Sequence, residues 1–192
     1  MIKTYVIDTN VLIQAPYAIE CFEENNLVLP LVVLEELDGL KKAEGEKGAN
    51  ARAAVRKLES YRQKGDLLQG VKLSGGGILR IEKNFVQVEL PSDIPDDKPD
   101  NRILKVCKGL AETEKEGQVI LVTKDIVLRL KAQILGIRAE DFERERISED
   151  DAQYTGRTEV YFPEDKVKEF KKKGIPLTDT YQSDEEGNRS TL

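Results

Sequence analysis

Four acidic residues stand where the chain turns from one element to the next. Asp8 follows the apolar run Tyr5-Val6-Ile7, Glu36 lies on a short helical stretch after Pro30, Asp100 precedes Asn101-Arg102-Ile103, and Asp125 follows Val119 to Thr123. The chain contains no histidine, so imidazole can be neither general base nor metal ligand. Any hydrolytic chemistry has to run on carboxylates, water and hard divalent cations. Mg2+ or Mn2+ suits an all-oxygen site that keeps waters. Four carboxylates gathered at neutral pH raise one another's pKa and are stable together only with cations.

Each acid also has a plainer explanation. Asp8 could be a cap or turn residue, although Asp8, Thr9 and Asn10 in a row after an apolar run are more than one cap needs. For Glu35 and Glu36, helical geometry chooses between them. At about 100° per residue, Val33, Leu37 and Leu40 share a face, Glu36 falls about 60° from Val33, and Glu35 lies nearly opposite. Glu36 is the one that can look inward. Asp100 and Asp125 each precede an apolar-periodic run, as an ordinary helix N-cap does. The caps-only account must still explain why four acids mark one edge.

The elements that would bring them to that edge alternate along the chain. Thr4 to Asp8 reads as a buried strand, Tyr17 to Asn25 as a helix, and Leu27 to Leu29 as a second strand ending at Pro30. Residues 31 to 42 and 50 to 63 read as helices, the latter with the stripe Ala51, Ala54, Val55, Leu58 and Tyr61. The polar stretch Ala43 to Gly48 lies between them as a loop. Short β-like runs, Ile78 to Ile81 and Val86 to Leu90, follow the triplet Gly75-Gly76-Gly77. After the Pro/Asp-rich segment 91 to 99 come a helix from Asn101, a strand from Val119, a helix from Ile126 and a last apolar piece at Ile137. This order implies an α/β fold with a mainly parallel twisted sheet covered by helices on both faces. Chemistry in such folds gathers outside the carboxyl ends of the strands, where Asp8 and Asp125 fall.

Charge is unevenly spread. Of the formal net charge of −6, all belongs to residues 140 to 192, with 9 basic and 15 acidic residues; residues 1 to 139 hold 21 of each. Residues 38 to 64 carry a local excess of four positive charges, which reads either as a solvated helix face or as a basic rim beside an acidic cleft. From Glu140 the composition shifts, dividing the chain into 1 to 140, an acidic extension 141 to 182 and a tail 183 to 192 expected to be disordered. Within the extension, Thr158 to Phe162 could add one strand and Glu164 to Lys173 a short helix. Cys21 and Cys107 have no CxxC spacing, so neither a zinc site nor a disulfide framework is indicated. No apolar stretch approaches the length of a membrane span, and a soluble cytoplasmic protein is expected. Gly45 to Gly48 lacks the GK[ST] of a phosphate loop, and sparse aromatics mark no base-stacking platform.

The segments Ile7-Asp8-Thr9-Asn10-Val11-Leu12-Ile13, Leu29-Pro30 through Glu35-Glu36 to Leu40, Pro99-Asp100-Asn101-Arg102-Ile103-Leu104 and Val122-Thr123-Lys124-Asp125 to Ala132 resemble the acidic motifs of PIN domains. The resemblance covers roughly residues 1 to 140, and the whole chain is similar to the N-terminal part of PIN-PhoH proteins, in which a PhoH-type ATPase follows. It implies a three-layer α/β/α PIN-like fold and a metal-dependent ribonuclease acting on single-stranded RNA through Asp8, Glu36, Asp100 and Asp125. A chain that stops before any Walker motif then reads as a fragment whose tail is a linker. On this view Mg2+ or Mn2+ activates a water for in-line displacement at the phosphate, leaving a 5′-phosphate. Thr9, Asn10 and Thr123 could orient the acids; Lys41, Lys42, Arg52, Arg102 and Lys124 could hold the RNA backbone. By analogy a homo-oligomer is expected.

Three rivals stand beside this reading. A catalytically silent RNA-binding or protein-interaction module would bind without cleaving and work only with the ATPase. A receiver domain also places acids at strand ends, but it puts two together after the first strand, where this chain has Asp8-Thr9-Asn10. The acidic tail could instead serve a structural or oligomerisation role.

Overall fold

The computed structural model describes residues 2–95, 97–114, 117–142, 181–183 and 189–191. Its larger unit spans Met1–Ile147. Six strands form one sheet in the order β3-β4-β2-β1-β5-β6: β1 (Thr4–Ile7), β2 (Asn26–Pro30), β3 (Val71–Lys72), β4 (Ile78–Glu82), β5 (Val119–Val122) and β6 (Arg138–Glu140). All neighbours are parallel except the β3/β4 pair. Every residue of β1 and β5 is buried, which is why both read as unbroken apolar runs rather than alternating ones.

Helices α1 (Thr9–Gln14), α2 (Leu31–Leu40), α3 (Gly45–Arg62), α4 (Pro99–Thr113) and α5 (Ile126–Ile134) flank the sheet. From β1 the chain winds through β2 to β4 on one side, then crosses back to β5 on the other. The β1/β5 junction is therefore the point where strand order reverses, and its carboxyl end opens the crevice that such sheets use. Register brings Ile7 opposite Val122 there.

Several boundaries differ from the sequence reading for local reasons. Residues 17 to 25 form only a 3-10 turn, Ala18–Glu20, because Glu23 takes a left-handed φ of 50° and ends any helix. A short helix, α1, occupies Thr9–Gln14, where the sequence showed only apolar character resuming. Gly45 to Gly48 belong to α3 rather than to a loop. α4 begins two residues before Asn101, with Pro99 in its first turn, where its missing N–H costs nothing.

Val86 to Leu90 is not a strand. Phe85, at φ 44°, reverses the chain and lays its ring on α4 at Gly109, where a Cβ would lie 2.1 Å from the ring. In the second unit, Ser148–Leu192, β7 (Tyr181–Ser183) pairs antiparallel with β8 (Arg189–Thr191). Ser183 and Arg189–Thr191 of that pair fall within the tail 183 to 192. The strand and helix expected within 158 to 173 lie outside the described residues.

Candidate functional site

β1 ends at Ile7 and hands Asp8 to the carboxyl edge, where its backbone N–H donates to the Val122 carbonyl at 3.1 Å. The side chain is 4% exposed. Thr123, fully buried at the end of β5, donates its hydroxyl to Asp8 Oδ2 at 2.5 Å. The same oxygen of Thr123 accepts from the Asp125 amide at 3.0 Å and from Asn10 Nδ2 at 3.2 Å. Asn10 Oδ1 in turn accepts from the Lys124 amide at 3.1 Å. A continuous network thus joins the first turn of α1 to the β5–α5 connection.

Glu36 arrives from α2. Val32, Val33 and Leu37 are buried, Glu35 is exposed and Glu36 half-buried, as the helical angles required. Its Oε2 accepts the hydroxyl hydrogen of Thr9. Asp100 arrives from α4, half-buried. The residue capping that helix is Lys98, so Asp100 sits inside the first turn rather than at the cap.

Asp8 senses the other two carboxylates. Burial pushes Asp8 up to about 6; the Thr123 hydrogen bond and the Thr9 backbone pull it down, and the negative charges of Asp100 and Glu36 push it further up. Cys107, fully buried on α4, also feels Asp8, and burial holds its thiol well above the usual range. Every ionised ligand candidate near Asp8 is therefore a hard carboxylate oxygen.

Asp125 behaves differently. It is the N-cap of α5, with Oδ1 accepting from the Val127 amide at 2.7 Å and the Leu128 amide at 3.3 Å. It is joined to Asp8 through its backbone and Thr123 rather than through its charge. Among the described residues no three acidic or thiol side chains already stand close enough to hold one metal ion.

Of the five cations singled out for an RNA backbone, four are engaged within the protein. Lys41 pairs with Asp38, Arg102 lies 3.7 Å from Glu35, and Lys124 Nζ donates to the Phe142 carbonyl at 2.8 Å. Arg52 Nη1 donates to the Lys41 and Ala43 carbonyls at 2.8 and 3.4 Å, closing the α2–α3 connection. Lys42 is exposed. The sequence reading passed over Asn101, 1% exposed, which donates to the Pro95 carbonyl at 2.5 Å and accepts from Lys131 at 3.0 Å. It also passed over Arg129 and Asp141, which face each other at 3.2 Å. Only the register of β6 beside β5 brings that last pair together.

A model of the PIN domain family matches residues 5–143. The chain belongs to the PIN domain family. The matched span contains all four acids and all of the six-stranded sheet except Thr4. Protein PhoH2 of Bacillus subtilis is 45% identical over 175 residues, covering 88% of this chain and 40% of that protein. Protein PhoH2 of Mycolicibacterium smegmatis is 38% identical over 162 residues, covering 83% of this chain and 36% of that one. The PIN domain chain thus spans about two fifths of the length of these relatives. Among solved structures, a domain of a functionally unknown protein from Methanocaldococcus jannaschii aligns with a TM-score of 0.47 at 21% identity, over 73% of this chain and 91% of that one.

Proposed function

We propose that this PIN domain is a divalent-metal-dependent ribonuclease module that hydrolyses single-stranded RNA at the edge holding Asp8, Glu36 and Asp100, with Asp125 as a fourth oxygen donor. The observation that carries this reading is Asp8, a carboxyl buried at 4% exposure beside two further acids. Such an arrangement works against folding, and sites of this kind are retained for chemistry.

The donor set fits a hard cation. It offers carboxylate oxygens, no imidazole, and a thiol that burial keeps protonated, which suits Mg2+ or Mn2+. When bound, the ion supplies charge neutralisation at the phosphate and a water acidic enough to attack it. The chain's own residues do the positioning. Thr123 aims Asp8, Thr9 aims Glu36, and Asn10 fixes the turn that carries Lys124 and Asp125. Of the Asp125 oxygens, Oδ1 takes both helix amides, leaving Oδ2 for the site.

Asp8, Glu36 and Asp100 would hold the ion, and its charge would offset the repulsion that Glu36 and Asp100 exert on Asp8. The second reading is a module that binds RNA without cutting it. In either case we infer that it works beside the remainder of the longer relatives, a PhoH-type ATPase, and as a homo-oligomer.

The test is incubation of the purified chain with end-labelled single-stranded RNA and Mn2+ or Mg2+, alongside EDTA and Asp100→Asn. Metal-dependent cleavage to 5′-phosphate ends, lost in both controls, is the expected result. RNA binding without cleavage would replace this reading with the second.

A further inference from the structure

We propose that Lys124 and Arg129 form a phosphate-binding subsite for the RNA backbone beside the acidic edge, and that Asp141 fills it in the free protein. This rests on the ribonuclease reading and adds to it the place where a neighbouring phosphate of the strand is held.

Both cations belong to the turn that positions the acids. Lys124 lies between Thr123, whose hydroxyl holds Asp8, and Asp125. Arg129, one turn into α5, folds back so that Nη1 donates to the Thr123 carbonyl at 3.0 Å. Lys124 Nζ donates to the Phe142 carbonyl at 2.8 Å. Carbonyls therefore hold the two cations in place without neutralising them.

The carboxylate that faces both is Asp141, the first residue past β6. Its Oδ1 lies 3.4 Å from Lys124 Nζ and its Oδ2 3.2 Å from Arg129 Nη1. Charge-assisted N–H···O bonds close to about 2.7–2.9 Å, so both contacts are loose. The nearby acids are committed elsewhere: Asp125 turns to its own helix amides, and Glu140 pairs with Arg138 at 2.8 Å. Among the described residues Asp141 thus faces both cations.

The site is reachable. The side chains of Lys124, Arg129 and Asp141 keep 32%, 26% and 36% of their surface exposed. A phosphodiester presents two unesterified oxygens, the same fork that Asp141 now offers, and can pair with both cations at once. From Arg129 the surface continues into a groove of about 420 Å³ between α5 and β6, lined by Ile126, Leu130, Ile137 and Arg138. That groove gives the strand a path away from the acids.

The test reads the binding of a fluorescent single-stranded oligoribonucleotide by anisotropy in EDTA, over a series of salt concentrations, using the 192-residue chain. Asp141→Asn frees the pair. It is expected to tighten binding about threefold to tenfold and to steepen the salt dependence. Arg129→Gln and Lys124→Gln are each expected to weaken binding and to lower the log–log slope by about 0.7, one phosphate contact of a single strand. Arg129→Lys keeps the charge and should keep the slope.

Cleavage by the wild-type chain with Mn2+ is measured alongside. If the wild type cleaves while Asp141→Asn binds no tighter and the Gln variants keep their slopes, the subsite is wrong and the ribonuclease reading stands. A slope lost equally in Arg129→Lys and Arg129→Gln would make Arg129 structural and overturn the subsite. A wild type that neither binds nor cleaves removes both readings.

Discussion

The two halves of the acidic edge are built differently. The β1/β5 half is locked: Asp8 and Thr123 are buried, and the Thr123 hydroxyl has three partners. Asn10 ties that turn to α1 through the Lys124 amide. The α2/α4 half is looser. Glu36 is half-buried and takes one hydroxyl from Thr9, and Asp100 enters from a helix it does not cap. The Glu35–Arg102 pair joining those helices spans 3.7 Å, too long and too exposed to fasten them strongly. One half is thus preassembled, while the other brings charge to it. Because the added charges repel Asp8, the preassembled half is also where the site costs the fold most.

The sharpest way to break this comparison is to remove the charge of Asp8 in protein stripped of metal by EDTA. Its folded-state pKa of about 6 lies above the ordinary value of 3.8. Between those values the folded chain holds a proton that the unfolded chain has released. Stability therefore falls as pH rises from about 4 to about 6, then levels off. A shift of this size corresponds to about 3 kcal/mol. Asp8→Asn should flatten that fall and leave the metal-free protein more stable at pH 7 by a sizeable part of that amount. Urea unfolding at pH 4 and pH 7 measures it. A wild type equally stable at both, or an Asn variant less stable at pH 7, would mean that the locked half carries no such cost.

A smaller effect separates the halves by their hydroxyls. Thr123→Val removes the donor to Asp8 and leaves the Asp125 amide and Asn10 Nδ2 without their acceptor. The expected loss is about 2 kcal/mol, with cleavage falling about tenfold to a hundredfold. Thr9→Val removes one bond, to a partly solvated Glu36, and should cost less stability. Equal losses in the two variants, read from their urea midpoints at one slope, would erase the distinction between a locked and a loose half.

Much of this edge was legible in sequence because its residues follow from short-range periodicity. Buried runs such as Val119 to Val122 announce strands, and the inward turn of Glu36 follows from 3.6 residues per turn and the apolar positions around it. What was hidden depends on register or on backbone strain. Arg129 and Asp141 meet only because β6 lies beside β5. The 17 to 25 segment loses its helix to Glu23, and the 86 to 90 segment loses its strand to Phe85, both residues at positive φ that no propensity favours. Arg52 looked like a free cation because its partners, the Lys41 and Ala43 carbonyls, are backbone atoms, which composition cannot show.

Asp125 gives the smallest effect and the finest resolution, because cap and candidate ligand are the same side chain. Its Oδ1 satisfies two amides that α5 would otherwise leave open. Asp125→Ala should therefore cost about 1 kcal/mol, the ordinary loss of a cap. Asn also caps, so Asp125→Asn should restore most of that stability while withholding the negative charge. Thermal melts of the two variants, set beside their cleavage rates, separate the roles. Activity lost in both with stability lost only in Ala places Asp125 among the groups acting on metal or substrate. Activity that follows stability, kept in Asn and reduced in Ala, makes it a cap alone, and the working acids are then the three whose charges already meet at Asp8.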